Sequence, residues 1–312
     1  MSDDKSHWIL GLLYINPEDP RLLLPLPCKL GLALNFGNPR VVPALCWISA
    51  IILLGSFVLP IAAHPMAFAR NPMTPLLWLL AWLVTLPIAR LNCCFALSDY
   101  RDLPLASYGL VGVSVGLGVQ NIVLGSLILW WGARANWSWA HGLVIGPVCA
   151  LAQTFGKWAA IVMLLKMRSA PSRLGQIRYG LLVGLGFTIY EIAIVYSPAA
   201  WAQAVLGHIA VWERVSVSMF HIYSAGLVAL ALWSGRRQLL VFVVAVHSAM
   251  DWLAVATPSL QLPLATVEVA FSVLAAVTWA AFLFAARAPR SGDPFDSGVQ
   301  QCAAPDAAPP HR

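Results

Sequence analysis

The stretch QLLVFVVAVHSAMDWLAVAT, residues 238–257, decides the fold. A helix of this length extends roughly 30 Å, which matches the hydrocarbon core of a bilayer. His247 and Asp251 interrupt the stretch, four residues apart and therefore on one helix face. A charged group at mid-membrane costs roughly 2.5–3.5 kcal/mol on insertion scales, so these two side chains are candidates for a functional role.

The composition of the whole chain indicates a membrane protein. The 312 residues are 60% hydrophobic and 10% charged, with a mean hydropathy of +0.76. Soluble domains carry about 25% charged residues, so this chain cannot cover a soluble surface. The net charge of +6 does not indicate nucleic-acid binding, because the basic residues fall in short loops between apolar segments. We therefore expect contact with membrane lipids and none with nucleic acid.

The apolar segments predict an all-α, polytopic transmembrane bundle of about eight spans. The spans lie at about residues 43–63, 74–92, 104–131, 139–165, 177–197, 207–233, 238–257 and 262–286. If the N-terminus is inside, 15 lysines and arginines are cytoplasmic and only Arg70 and Arg134 are outside, with Lys157 and Arg214 in spans. The positive-inside rule then predicts that both termini are cytoplasmic.

The chain ends flank this bundle with two different segments. Residues 1–42 are rich in Pro, Gly and Asn, and their apolar runs are too short to span a bilayer. We predict a small cytoplasmic or interfacial element of extended pieces and turns, with an amphipathic arm resting on the membrane as the alternative. Residues 43–287 form the bundle, and the Pro- and Ala-rich tail at 288–312 is expected to be disordered.

Two further spans carry buried polar residues. Glu191 lies in GLLVGLGFTIYEIAIVY, and ERVSVSMFH carries Glu213, Arg214 and His221. Counting about 1.5 Å per residue from the cytoplasmic boundary places Glu191, His221, His247 and Asp251 in one layer, roughly 15–21 Å deep. The same count places Glu213 and Arg214 near the outer interface, at roughly 32 Å.

Four kinds of role fit such a layer. Two imidazoles and two carboxylates can hold a divalent metal that activates water. A carboxylate can instead act as general base while histidines stabilise an oxyanion. A transporter can use the same groups as a proton relay, although transporters usually carry an internal repeat and this sequence shows none. The remaining alternative is a polar network that only holds three helices together.

One more span has a distinctive composition. Residues 104–131 carry Gly109, Gly112, Gly116, Gly118 and Gly125, a spacing that lets neighbouring helices approach closely. Gln120 and Asn121 fall near its middle and are candidates for lining a polar cavity.

The polar motifs resemble those of the PrsW and YhfC-type intramembrane peptidases, within the CAAX-protease and bacteriocin-processing superfamily. That family's second motif, a glycine-rich approach to a glutamate, is matched by Gly184 (or Gly186), Phe187 and Glu191. Its third motif, an arginine with a histidine two turns later, is matched by Arg214 and His221, with Glu213 before the arginine as in the YhfC type. Its fourth, H-x-x-x-D/N, is matched by His247 and Asp251. The resemblance covers roughly residues 140–257.

The family's first motif, E-E-x-x-K/R, is not matched. Gln153 and Thr154 stand where the glutamate pair is expected, and Lys157 stands in place of the base. The resemblance implies that the paired glutamates activate the hydrolytic water, and an amide and a hydroxyl cannot replace them as a strong base. Either hydrolysis is lost or Glu191 has taken over the role of base. We expect Lys157 to lose its proton or to pair with Glu191 or Asp251.

The resemblance implies an intramembrane peptidase of the metallo or glutamic type, acting on a membrane protein or peptide substrate in the bacterial cytoplasmic (inner) membrane. If hydrolysis is retained, we expect Glu191 to activate water, and His221 and His247 to bind a metal such as zinc or to polarise the substrate carbonyl. Asp251 would orient His247 or join the metal shell, Lys157 would neutralise the cluster, and Glu213 and Arg214 would support it. The alternatives are an inactive pseudoprotease that acts as a binding or scaffold protein, and a proton- or solute-coupled transporter. The sequence does not predict an oligomeric state.

The N-terminal segment has a resemblance of its own, to a short uncharacterised domain found beside bacterial membrane proteins. It implies no chemistry. The matching residues are Gly11, Tyr14, Asn16, Pro17, Asp19, Pro20, Arg21, Gly31, Asn35 and Phe36.

Overall fold

The structure, a computed structural model, describes eight ranges of the chain. They are residues 7–9, 13–25, 32–48, 51, 100–131, 137–167, 172–191 and 207–287. Most of the predicted span at 43–63, the span at 74–92, the end of the span at 177–197 and the tail at 288–312 lie outside the described residues. Residues 41–48 are helical and fall at the start of the first predicted span.

Six long helices make up the described part of the bundle. They are α1 (Tyr108–Trp131), α2 (Trp139–Met167), α3 (Arg173–Glu191), α4 (Gly207–Ser234), α5 (Arg237–Leu260) and α6 (Leu264–Arg287). A 3₁₀-helix, Tyr100–Ser107, leads into α1. Five of the six, all except α3, are long and apolar enough to cross a membrane. The prediction of a helical membrane protein is confirmed at this level, while the number of eight spans and their orientation stay predictions.

The helices pack closely where small residues let their backbones approach each other. α2 packs against α1 and α5, and α4 packs against α3 and α6. Hydrophobic burial supplies little drive between helices in lipid, so close contact depends on van der Waals fit. The outward faces carry large exposed apolar side chains such as Ile122, Leu129, Val241 and Phe284, as expected of surfaces that contact lipid.

The glycines of α1 divide into two groups. A Cβ on Gly112 would lie 3.3 Å from the Gly156 carbonyl oxygen of α2, and Gly109 and Gly116 are similarly close to neighbouring backbone. Gly118 and Gly125 have nothing of the described structure within 4 Å. The predicted close approach of helices is therefore found along the first half of α1 only.

The N-terminal element forms two small antiparallel sheets. Trp8–Ile9 (β1) pairs with Leu13–Tyr14 (β2), and Leu23–Pro25 (β3) pairs with Leu32–Leu34 (β4). Phe36 contacts the ring of Tyr108 at the start of α1, with ring centroids 6.3 Å apart. The predicted extended pieces are thus present in the described residues, and they pack onto the bundle.

Buried polar side chains hold the turns of this element. Asn35 donates from Nδ2 to the carbonyl oxygens of Asn16 and Asp19, at 2.8 and 2.9 Å. One turn of this element lies at Pro17–Glu18, where Asp19 N–H donates to the Asn16 carbonyl oxygen. Hydrogen bonds from the Arg21 side chain and backbone hold the pKa of the Asp19 carboxyl well below its usual range.

Candidate active site in the bundle interior

Glu191 and His221 are in direct contact across α3 and α4. Glu191 Oε2 lies 2.8 Å from His221 Nε2, and both residues are buried. The two helices come this close because Gly184 lies against the α4 backbone: a Cβ there would be 2.6 Å from the His221 carbonyl oxygen. The glycine-rich approach to Glu191 therefore places the carboxylate against the imidazole.

His247 joins this pair from α5. Its ring centroid lies 5.4 Å from that of His221, and the ring of Phe220 packs against both imidazoles. Asp251 Oδ2 lies 3.6 Å from His247 Nε2, which is within ion-pair distance but too long for a hydrogen bond. The predicted layer is thus assembled, although Asp251 does not hold His247 by a hydrogen bond.

Lys157 of α2 lies fully buried beside the cluster. Its Nζ donates to Ser224 Oγ at 2.9 Å and lies over the rings of Phe187 and Phe220, 4.9 and 5.1 Å from their centroids. Glu191 and Asp251 act on it through charge alone, since among the described residues neither carboxylate lies within ion-pair distance of the amine. The amine is thus held by a hydroxyl and two aromatic faces.

Ser224 is a member of the site that the sequence analysis missed. It is fully buried, and its hydroxyl donates to the His221 carbonyl oxygen at 3.1 Å. Its spacing of three residues from His221 places both on one face of α4, and this was the available signal. A serine in a span is normally satisfied by its own helix, so the residue type alone did not indicate a partner.

The Arg214 side chain is buried in the bundle, and its charge acts on residues of the candidate site. It is 2% exposed, forms an ion pair with Glu213, and has charge interactions with Glu191 and His221. The Arg214 side chain thus lies in the bundle interior, where its charge acts on the site. The height of residue 214 near the outer interface stays a prediction.

Glu268 of α6 is a second residue that the sequence analysis missed. It is 2% exposed and has a charge interaction with Arg214. Glu268 lies in the second turn of α6. Acidic residues are common near helix starts, so its position gave no indication of a functional role. Arg214 therefore connects acidic groups of α3, α4 and α6.

The positions that depart from the family pattern are buried in α2 next to Lys157. Gln153 donates from Nε2 to Gln120 Oε1 of α1 at 3.0 Å. Thr154 is 6% exposed, and its hydroxyl has no hydrogen-bond partner among the described residues. Asn121, the other residue predicted to line a polar cavity, is exposed. The Gln153 side chain thus links α2 to α1 by a hydrogen bond.

Metal binding by His221 and His247 can be tested against these side chains. Within the described ranges, no three His, Cys, Asp or Glu residues are arranged to hold one metal ion. His221 Nε2 is engaged with Glu191, and the Lys157 amine is close by. Zinc ligation by His221 and His247 therefore stays a prediction, and no step below uses it.

Comparison with known proteins yields no relative. No protein-family model matches the chain, and neither curated proteins nor solved structures give a significant match. The resemblance to intramembrane peptidases consequently depends on the sequence motifs alone.

The assembled groups can act as an acid–base centre in apolar surroundings. A carboxylate in contact with an imidazole can accept a proton and pass it on. The Nδ1 atoms of His221 and His247 have no hydrogen-bond partner among the described residues, so they can donate to or accept from a bound molecule. Lys157 and Arg214 bring positive charge, which favours an anionic intermediate.

Proposed function

We propose that this protein is an intramembrane peptidase of the PrsW/YhfC kind, in which Glu191 acts as general base. The observation that carries the proposal is the buried contact between Glu191 and His221 at 2.8 Å, with the His247 ring next to it. These groups come from three helices and from the three family motifs that this sequence retains. A buried carboxylate–histidine cluster of this kind has the components of water activation.

The proposed reaction needs only residues of this chain and water. Glu191 takes a proton from a water molecule, and the water oxygen attacks the carbonyl carbon of a peptide bond. His247 and the Lys157 ammonium stabilise the resulting oxyanion. Glu191 then gives the proton to the leaving nitrogen as the C–N bond breaks, which yields a carboxylic acid and an amine, and a proton then passes from the acid to the amine. His221 orients Glu191 through their direct contact.

A second candidate is an inactive relative that binds membrane proteins without cleaving them. The observation that favours it is the Gln153–Gln120 hydrogen bond, which occupies the position of the family's missing glutamate pair. If that pair is indispensable, the remaining cluster serves only to hold the helices and a bound segment. Measurement of cleavage separates the two candidates.

The experiment compares cleavage by wild-type protein and Glu191→Gln, both reconstituted in liposomes with a panel of single-span membrane peptides. Loss of the base should lower the rate about 10²- to 10⁴-fold. Asp19→Asn is the matched control, because it removes a carboxylate that is buried to the same degree but lies in the N-terminal element, away from the cluster. It should retain the wild-type rate.

Two outcomes would contradict the peptidase proposal. One is that Glu191→Gln cleaves as fast as wild type. The other is that no peptide is cleaved by either protein while both still bind the panel, which would favour the inactive relative. Thermal unfolding of both variants shows whether a lost activity reflects a lost fold.

The proposal includes an orientation in the bacterial cytoplasmic membrane, with eight spans and both termini inside. The ends of α5 offer a direct check of it, since Gln238 and Ser259 are both exposed. We expect a cysteine at position 238 to react with an impermeant thiol reagent from the cytoplasmic side only, and one at 259 from the opposite side only. The reverse pattern would overturn the orientation.

A further inference from the structure

A pocket lies at the end of the bundle where α3 and α5 begin and α4 and α6 end. It is lined by residues that include Arg173, Trp233, Ser234, Arg236 and Leu239. It is far along the helices from the candidate active site: His221 lies 13 residues before Ser234 on α4. The proposed peptidase reaction makes no use of it.

Two arginines give the pocket its charge. Arg173 Nη2 donates to the Ala285 carbonyl oxygen at 2.8 Å, which fixes the guanidinium at the pocket wall. Arg236 is exposed, and among the described residues its side chain has no ion-pair partner. Most of the donors of both guanidinium groups are therefore available to a ligand.

Within the four helices that form the pocket, no acidic residue lies near this charge. The acidic residues of α3 to α6 are Glu191, Glu213, Asp251 and Glu268, and all lie more than three turns from this end of their helices. The same end also carries Arg178, Arg237 and Arg287. Two guanidinium groups that line one pocket repel each other, and an anion between them relieves that repulsion.

The start of α5 adds backbone donors. Its N-cap residue, Arg236, makes no side-chain cap hydrogen bond to the first turn. Gly235, at a φ of +69°, turns the chain sharply between α4 and α5. Arg236 and Leu239, at the start of α5, line the pocket. The first-turn N–H groups of a helix and its dipole both favour an anion, in addition to the two arginines.

We propose that this pocket binds a phosphate group, supplied either by an anionic lipid headgroup or by a soluble phosphate. Guanidinium groups pair with phosphate through two parallel hydrogen bonds, which suits a site lined by two arginines. The pocket joins the ends of α4, α5 and α6, which are long and apolar enough to span the membrane, and the ends of such spans lie at the depth of the lipid phosphates. Basic pockets between such helices are established sites for anionic headgroups.

The test measures binding of two probes to purified full-length protein. Inorganic phosphate is titrated in a neutral detergent, and phosphatidylglycerol is compared with phosphatidylcholine in nanodiscs, with thermal stability and native mass spectrometry as readouts. We expect Arg236→Gln to weaken saturable binding about tenfold or more, since it removes a charge-assisted contact. Arg237→Gln removes the same charge from the adjacent exposed residue, which is not part of the pocket lining, and should leave binding nearly unchanged.

Each outcome bears on the proposal. Saturable binding of phosphatidylglycerol alone supports a lipid site, and binding of inorganic phosphate supports a soluble ligand. Arg173→Gln provides a second pocket variant, and it should weaken binding as Arg236→Gln does. Equal weakening by Arg236→Gln and Arg237→Gln would overturn the proposal in favour of diffuse surface charge, and so would the absence of saturable binding for both probes.

Discussion

Lys157 shows how a single buried charge is accommodated in this bundle. Its ammonium group donates to Ser224 and lies over the faces of Phe187 and Phe220. A cation over aromatic rings in apolar surroundings gains about 2 kcal/mol or more. The charges of Glu191 and Asp251 also favour the protonated amine and oppose the larger cost of its desolvation.

We expect Lys157→Met to lower the free energy of unfolding by about 3–5 kcal/mol, because removing one partner leaves the other buried charges uncompensated. Lys166→Met, an exposed position on the same helix, should stay within about 0.5 kcal/mol of wild type. Denaturant unfolding in detergent micelles measures both variants. If the loss is electrostatic, the double variant Lys157→Met/Glu191→Gln loses less than the sum of the single variants. Strict additivity would refute the link between these residues.

At the scale of elements, the contact between α3 and α4 positions the site. Gly184 allows the two backbones to approach, and Glu191 follows it two turns later on α3. The contact is backbone against backbone, so no flexible side chain can move aside to admit an added methyl group.

Gly184→Ala should therefore push α3 away from α4, separate Glu191 from His221, and reduce both cleavage and stability, the latter by about 1–3 kcal/mol. Gly118→Ala makes the same chemical change on α1, where nothing of the described structure lies within 4 Å. It should be neutral or slightly stabilising, since alanine is the better helix former. Cleavage assays and thermal unfolding compare the two variants, and an equal response at both positions would contradict the packing argument.

Much of this element-level arrangement could be predicted from the sequence. Apolar length located the described helices, and residue counts placed Glu191, His221 and His247 in one layer, because both depend only on the regular rise of a helix. Residue counts could not locate the charge of Arg214, since that depends on the course of a long side chain. The partnership of Lys157 with Ser224 depends on how α2 packs against α4, which sequence periodicity does not encode.

At the scale of the whole molecule, one helical bundle carries two separate regions. The candidate active site lies in the interior between α2, α3, α4 and α5, and the arginine pocket lies where α4 turns into α5. α4 and α5 take part in both regions, since α4 carries His221 and α5 carries His247. The two regions are nevertheless tested by different variants and different readouts.

The measurement that tests the central claim most directly is cleavage of a membrane peptide in water enriched in ¹⁸O. If Glu191 activates water for direct attack, the new C-terminal carboxylate of the product gains one oxygen atom from the solvent. Mass spectrometry should find this label in the product of the wild-type protein and almost no product from Glu191→Gln. Product from Glu191→Gln at the wild-type rate, or an unlabelled carboxylate, would contradict the account.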